Sequence, residues 1–261
     1  MTEPKATSPS IEQVTQETSL AHYPELYRRV VMIVHEHEDT GKPHQIGSGV
    51  LVNVEGRHFV ATAAHCIRRN PCVIREGQWN PNTSAPLPQR SAVIIRAGTH
   101  KLLDIGFLEV ATALGPEIGE EQLYFNQGLA LQPHWSLHVI GYPVKTIAES
   151  EALQMMTIRK KAFVSNMAEQ ADTYIKIYYP DVGYRLENGQ WVEIRFVETP
   201  HGFSGGGCFI ISERPGEVAV LGHKLIGIQS SWYRESRLVE VIPIKPWYDM
   251  VKAYLASPRR G

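Results

Sequence analysis

The chain reads as an all-β protein, two antiparallel β-barrels followed by a C-terminal α-helix. Two observations predict it. Short β-branched apolar runs follow one another, separated at brief intervals by Gly, Pro, Asn and Asp, and only the last stretch carries apolar residues at helical spacing. The 261 residues suit one large β domain or a pair of small barrels. Neither a strand–helix alternation nor a repeat of about 20–50 residues is evident.

The elements come in this order. Residues 29–36 form a strand, and Asp39-Thr-Gly-Lys-Pro43 a turn. Residues 45–54 form the second strand, Glu55-Gly-Arg57 is a tight connection, and 58–61 begin a third. Residues 70–89 hold Pro71, Pro81, Pro86 and Pro88 and read as a long irregular loop. Strands over 92–96 and 102–110 follow, and 115–132 connects two halves. The second half continues with runs at 137–141, 174–179, 191–197, 207–212, 218–221, 225–229 and 238–241. Near the end, Trp247, Met250, Val251, Tyr254 and Leu255 recur at i, i+3, i+4, i+7 and i+8, with Pro246 placed for a first helical turn and Pro258 for a stop. This stripe packs the helix on the barrels. The domain reading is a flexible polar tail over 1–24, a first barrel over 25–130, a second over 131–244, and the helix over 245–256.

Composition excludes several classes. Apolar residues make up 43% and charged residues 20%, the balance of an ordinary soluble protein with enough apolar material for a core. With 26 basic and 27 acidic residues spread along the chain, no basic face supports nucleic acid or an anionic membrane as partner. The start lacks the basic and apolar regions of a secretory signal, and the early apolar run 30–34 is far too short to span a bilayer. The three cysteines, Cys66, Cys72 and Cys208, form no disulfide framework and no metal-binding spacing. They read as buried free thiols of a reducing compartment, and the expected location is the cytoplasm.

Three motifs carry chemistry, in a fixed order. Val60-Ala-Thr-Ala-Ala-His-Cys66 is a strand ending in histidine; Leu102-Leu-Asp-Ile-Gly-Phe-Leu108 sets an aspartate inside an apolar strand; Gly202-Phe-Ser-Gly-Gly-Gly207 is a serine in a glycine-rich turn. A serine hydroxyl needs a base to become a nucleophile. Histidine has a suitable pKa and can return the proton to a leaving amine. A buried aspartate fixes the imidazole tautomer and stabilises its cation. Glycines around Ser204 let amide groups turn toward one point, so the Gly202 and Ser204 N–H groups form the expected oxyanion hole. Any one motif has a structural explanation, but an aspartate among leucines demands a partner, and the ordered three together point to a triad. Gly202-Phe-Ser-Gly-Gly206 also fits the G-x-S-x-G elbow of α/β-hydrolases. That fold needs the order Ser, Asp, His with βα units between. After Ser204 only His223 remains, nineteen residues on, so the elbow reading fails.

With these motifs the sequence resembles the trypsin/chymotrypsin family of serine proteases. Thr62-Ala-Ala-His-Cys66 resembles the histidine motif, Asp104-Ile-Gly-Phe-Leu108 the aspartate strand, and Gly202-Phe-Ser-Gly-Gly206 the nucleophile loop. Gly47-Ser-Gly-Val-Leu51 resembles the strand before the histidine, and Val139-Ile-Gly-Tyr-Pro143 the start of the second barrel. The resemblance spans roughly residues 25–256. It implies a chymotrypsin-like fold, a catalytic triad of His65, Asp104 and Ser204, and serine endopeptidase activity on protein or peptide substrates, with no metal or organic cofactor. A protein of this kind in the cytoplasm needs restraint, by a narrow substrate range, a mobile loop or a regulatory protein partner. The alternative is a protease-like binding or scaffold protein whose cleft is blocked.

The sequence also departs from the family. Secreted members bridge the cysteine beside the catalytic histidine to one on the preceding strand, yet residues 45–54 contain none. Digestive-type members carry aspartate before the serine, where this chain has Phe203. Both features are similar to intracellular and Deg-type bacterial proteases, and imply activity without N-terminal insertion. In trypsin-like members the residue six before the nucleophile lies at the base of the pocket for the substrate side chain. Here it is Glu198, which implies a preference for Arg or Lys before the scissile bond. The opposite wall, Gly227-Ile-Gln-Ser-Ser-Trp232, supplies Ser230 and Trp232, and Trp232 falls where a smaller residue would keep the pocket open.

Overall fold

The computed structural model describes residues 25–36, 43–68, 71–74, 92–125, 131, 137–143, 161–180, 182–187, 190–195, 200–212 and 222–257. Strands β1 (Val30–Glu36), β2 (Pro43–Val54) and β3 (Arg57–Ala63) pair antiparallel in succession. Val54 pairs with Arg57, which leaves Glu55-Gly56 as a two-residue loop with φ of 51° and 72°. Two consecutive left-handed residues make the kind of turn whose twist matches an antiparallel hairpin. Strand β4 (Cys72–Ile74) joins the far side of β1, and β5 (Ile94–His100) pairs with β6 (Ile105–Val110) beyond β3. The sheet order is β4-β1-β2-β3-β6-β5.

The central strands of this sheet are continuous apolar runs because both faces are buried. Val31, Ile33, Leu51, Val60 and Leu108 form one cluster, while Val30, Met32, Val50, Val52, Phe59 and Phe107 face the other way. That second face meets Ile140, Tyr142, Phe209 and Ile228 of the following sheet. Alternate side chains of one strand thus fill the first barrel and the seam between barrels.

The second sheet has nine strands: β7 (Leu137–Gly141), β8 (Lys161–Ser165), β9 (Met167–Gln170), β10 (Ile175–Tyr178), β11 (Val182–Glu187), β12 (Gln190–Arg195), β13 (Gly207–Ser212), β14 (Gly222–Tyr233) and β15 (Leu238–Pro243). Their order is β12-β11-β8-β7-β13-β14-β15-β10-β9. Its interior holds Leu137, Val139, Phe163, Ile177, Phe203 and Val241. Helix α1 (Ile244–Ala256) follows directly, with Pro246 in its first turn and Ile244, Trp247 and Val251 buried. The helix docks on the first barrel, where the Trp247 indole N–H donates to the Gly106 carbonyl at 3.0 Å. Beside it the buried Glu109 carboxylate accepts from Arg57 Nε at 2.7 Å and from the Tyr254 hydroxyl at 2.6 Å, so the charge is fully engaged.

A charged junction ties the barrels together. Arg29, at the entrance to β1, pairs with Glu25 Oε1 at 2.5 Å, reaches Gln122 Oε1 at 3.3 Å and contacts His223 Nε2 on β14. Gln122 Nε2 lies 3.1 Å from the same ring nitrogen. Both donors converge on His223 Nε2, which accepts from each.

The structure revises three expectations. Residues 70–89 are not wholly irregular, because Cys72–Ile74 pairs with β1 as a short strand. The strand expected over 102–110 begins only at Ile105; Leu102 and Asp104 lie in the preceding turn, and Leu102 is almost fully exposed. Strands β8, β9 and β11 had not been read from the sequence. The run expected at 218–221 lies outside the described residues.

Candidate active site

His65 stands in a single 3₁₀ turn, Ala64–Cys66, at the end of β3. Its position is set by Asp104 at three points. The Ala64 N–H donates to the Asp104 carbonyl at 3.1 Å, and the His65 N–H donates to Oδ1 at 3.0 Å. The imidazole Nδ1 meets Oδ2 at 2.8 Å. Nδ1–H donation to a carboxylate leaves Nε2 as the free basic nitrogen, the tautomer a general base requires.

Asp104 is not inside a strand, as the sequence had suggested. It closes the turn before β6 with φ of 49°, a left-handed conformation that aspartate tolerates better than most residues. The turn aims both oxygens at the His65 segment, and the carboxylate is partly exposed instead of fully buried. Oδ2 also accepts from the Ser230 hydroxyl at 2.6 Å. Burial would raise the Asp104 pKa, but the His65 and Ser230 hydrogen bonds outweigh it and hold the carboxyl below its ordinary value. The same Asp104 contact, followed by a hydrogen bond with Cys66, holds His65 above its ordinary 6.5.

Ser204 follows β12 on the loop leading into β13. Gly202 and Gly205 have φ of 92° and 84°, so the turn needs glycine at both places. At Gly205 space forbids a side chain as well: a Cβ would lie 2.0 Å from the Ser48 carbonyl oxygen and 2.2 Å from Thr62 Oγ1. Phe203, between Gly202 and Ser204, buries its ring in the second barrel against Phe163, centroids 5.8 Å apart. Gly205 N–H donates to Gln229 at 2.7 Å and Gly206 N–H to Phe203 at 2.6 Å. Among the described residues, the Gly202 and Ser204 N–H groups meet no acceptor. They are two open backbone donors, one on the candidate nucleophile itself and one two residues before it. The Ser204 hydroxyl donates to the Ser230 carbonyl at 3.1 Å, so in this resting arrangement its proton is turned toward β14. Nucleophile–base bonds are often loose until substrate is bound.

Ser230 therefore does more than line a pocket wall. The β14–β15 register shifts between Gln229 and Trp232, which takes Ser230 and Ser231 out of the ladder and lets Ser230 turn to Asp104. Only its partner, in a turn far away in the sequence, could reveal this bond. The Trp232 ring leans edge-on against Tyr179, centroids 4.9 Å apart, and joins the second-barrel cluster. Glu198 lies outside the described residues. Cys66, Cys72 and Cys208 are buried thiols in no disulfide, and burial pushes the Cys208 thiol up in pKa. Cys66 Sγ donates to the Ser204 carbonyl at 3.5 Å. A Cβ on Gly47 would fall 2.3 Å from that sulfur, so the strand position facing Cys66 is a glycine. Among the described residues no group of three or more His, Cys, Asp or Glu could hold a metal ion.

No protein-family model matches this sequence, and no curated protein does. Solved structures do. A serine endoprotease from Yersinia pestis is similar over 95% of this chain and 67% of its own, with TM-score 0.54 and 14% identity. A structure of HBP is similar over 91% of this chain and 96% of its own, with TM-score 0.58 and 12% identity. The Rv3671c protease from M. tuberculosis, in its active form, is similar over 100% and 97%, with TM-score 0.53 and 16% identity. The fold is the trypsin/chymotrypsin-like double barrel with a C-terminal helix.

Proposed function

We propose that this protein is a serine endopeptidase that hydrolyses peptide bonds through an acyl-enzyme. The observation that carries the reading is His65 held on Asp104 by Nδ1–Oδ2 and N–H–Oδ1 contacts, with Ser204 on a glycine-rich turn whose Gly202 and Ser204 N–H groups are open donors. Ser204 Oγ attacks the scissile carbonyl carbon as His65 Nε2 takes its proton. The oxygen of the tetrahedral intermediate gains negative charge and accepts from the Gly202 and Ser204 N–H groups. Collapse breaks the C–N bond, and the imidazolium gives its proton to the departing amine. Water, deprotonated by His65, then attacks the ester carbonyl, and collapse breaks the C–Oγ bond as the imidazolium returns its proton to Ser204 and the acid product leaves. Asp104 keeps the imidazole oriented throughout, and the His65 and Ser230 hydrogen bonds keep Asp104 ionised.

The test is labelling by a fluorophosphonate, with profiling of a peptide library by the wild type and by Ser204→Ala. Labelling at Ser204 and at least about a 10⁴-fold loss of turnover in Ser204→Ala are expected. An unlabelled, inactive wild type with a folded core would favour the other reading, a protease-like scaffold. That reading draws on the Ser204 hydroxyl being engaged by Ser230. A finer proposal is preference for Arg or Lys before the scissile bond, resting on Glu198 six residues before Ser204. Matched peptides with Arg, Leu or Glu at that site, repeated with Glu198→Gln, decide it. Cytoplasmic location and restraint by a regulatory partner are proposals on the same footing, the first drawn from three unbridged thiols. The buried Phe203 ring supports activity without N-terminal insertion, to be tested by deleting residues 1–20 and measuring hydrolysis.

A further inference from the structure

The nucleophile loop belongs to the second barrel, yet much of what orients it comes from one residue of the first. Ser48, on β2, is completely buried. Its N–H donates to the Ser204 carbonyl at 2.7 Å. Its hydroxyl donates to the Gly202 carbonyl at 2.7 Å and accepts from the Tyr142 N–H at 2.8 Å. Its carbonyl accepts from the Thr62 hydroxyl at 2.7 Å and lies against Gly205, where no Cβ fits. Ser48 is thus fixed from behind by Thr62 and grips the loop on both sides of Phe203.

The consequence follows from peptide planarity. The open donors, Gly202 N–H and Ser204 N–H, lie on planes either side of the Gly202–Phe203 plane, whose oxygen Ser48 Oγ holds. Glycine populates both signs of φ with little preference, so Gly202 at 92° has no intrinsic reason to keep its N–H turned one way. Phe203, locked in the core, fixes one end of that plane, and its rotation is held from two sides, by the Phe203 N–H donating to the Pro200 carbonyl at 3.1 Å and by the Ser48 hydroxyl on the Gly202 oxygen.

We propose that Ser48 is a positioning residue for the oxyanion site, its hydroxyl setting the direction of the Gly202 and Ser204 N–H groups from the opposite barrel. This rests on the endopeptidase reading above. In Ser48→Ala the backbone bond to Ser204 survives and only the hydroxyl contacts are lost. Misdirected donors act on the transition state and leave substrate binding alone, so kcat should fall about 10–100-fold while KM stays within about twofold. Affinity for a peptide boronate, whose tetrahedral adduct fills the oxyanion site, should fall in step with kcat/KM, and Ser48→Thr should recover most of both. A merely structural role would lower the melting temperature and leave kcat and boronate affinity intact in the folded protein. That outcome overturns the proposal.

A second readout needs no activity. Amide hydrogen exchange at Phe203 and Gly206, both hydrogen-bonded within the loop, should quicken by about tenfold in Ser48→Ala while β3 amides stay unchanged. Unchanged loop exchange overturns the role of Ser48 even where the wild type neither cleaves peptides nor takes up the fluorophosphonate, the result that would separately sink the endopeptidase reading. Where Ser48→Ala does not fold, Ser48→Cys keeps the volume and weakens the donor, with the same outcomes at smaller size.

Discussion

Among the described residues, two polar junctions between the barrels are built from contrasting materials. At the candidate catalytic junction the contacts come from backbone groups and short hydroxyl side chains: Ser48 to Gly202 and Ser204, and Ser230 to the Asp104 carboxylate. At the other, long side chains meet: Arg29 with Glu25, Gln122 and His223. His223 and Ser230 lie on the same strand, β14, so one element serves both. The difference teaches what each junction must hold. A hydroxyl or amide on a short tether transmits position to within fractions of an ångström, which chemistry across the seam requires. A guanidinium on a flexible stem holds association and tolerates drift.

The largest expected effect comes from breaking the catalytic junction at Asp104. On the endopeptidase reading, Asp104→Asn should lower kcat by about 10⁴-fold through the wrong imidazole tautomer, by analogy with the triad of chymotrypsin-like proteases. It should also move the pH profile. A base must be neutral, and His65 is held above 6.5, so wild-type activity should rise with pH through a midpoint above 6.5, moving back toward that value in the variant. Stability has the opposite sense for each partner. The raised His65 pKa contributes stability that is complete below pH 6.5 and fades as pH rises through the folded value. The lowered Asp104 pKa contributes stability present above 3.8 and lost as pH falls through its folded value. Melting temperatures of wild type and Asp104→Asn should therefore differ most between those limits. An equal difference from acid to alkali would show that the pair contributes no linkage.

Next in size is Gly205→Ala. A methyl aimed at the Ser48 carbonyl from 2.0 Å, added to left-handed backbone strain, should cost more than about 3 kcal/mol and remove activity with it. Gly56→Ala sharpens the contrast. Its φ is also left-handed, at 72°, but nothing stands within 4 Å, so strain alone should cost about 1 kcal/mol and leave kcat unchanged. Urea unfolding reads both. Near-equal losses would mean that strain, not the Ser48 contact, governs the nucleophile loop.

Arg29→Ala breaks the charged junction. It leaves Gln122 and His223 partly paired, and Glu25, about half exposed, can turn to water. A loss of about 1–3 kcal/mol in unfolding free energy is expected, with kcat within about twofold of wild type. A fall in kcat as large as that of Ser48→Ala would erase the distinction between the junctions. Smallest is Lys245→Ala, which removes an exposed i,i+4 pair with Asp249 on α1. It should change stability by no more than about 0.5 kcal/mol, measurable only as a baseline for the others.

Local pattern made much of this legible in advance. The two-barrel fold could be read from β-branched runs and turn residues, because a strand's alternation is written within a few consecutive positions. The His65, Asp104 and Ser204 motifs could be read because each demands unusual neighbours. Strand β9, Met167–Gln170, escaped notice for the complementary reason: Met-Ala-Glu-Gln has no apolar alternation, and it is a strand only because β10 offers it a ladder. Asp104 looked like a strand residue because its neighbours are apolar, and the left-handed turn that takes it out of the ladder leaves no mark in the residue types.

The sequence by itself determined the barrel-forming pattern and marked His65, Asp104 and Ser204 as the candidates for chemistry. Tertiary structure alone decided which distant groups support them. Nothing within reach of Ser48 in the chain announces Gly202, more than 150 residues on, as the acceptor of its hydroxyl. Nor does Ser230 announce Asp104, since that bond needs a register shift in β14 and a turn before β6 to meet across the seam. Periodicity is a property of neighbours along one strand, and it carries no record of which atoms two curled sheets bring within hydrogen-bond distance.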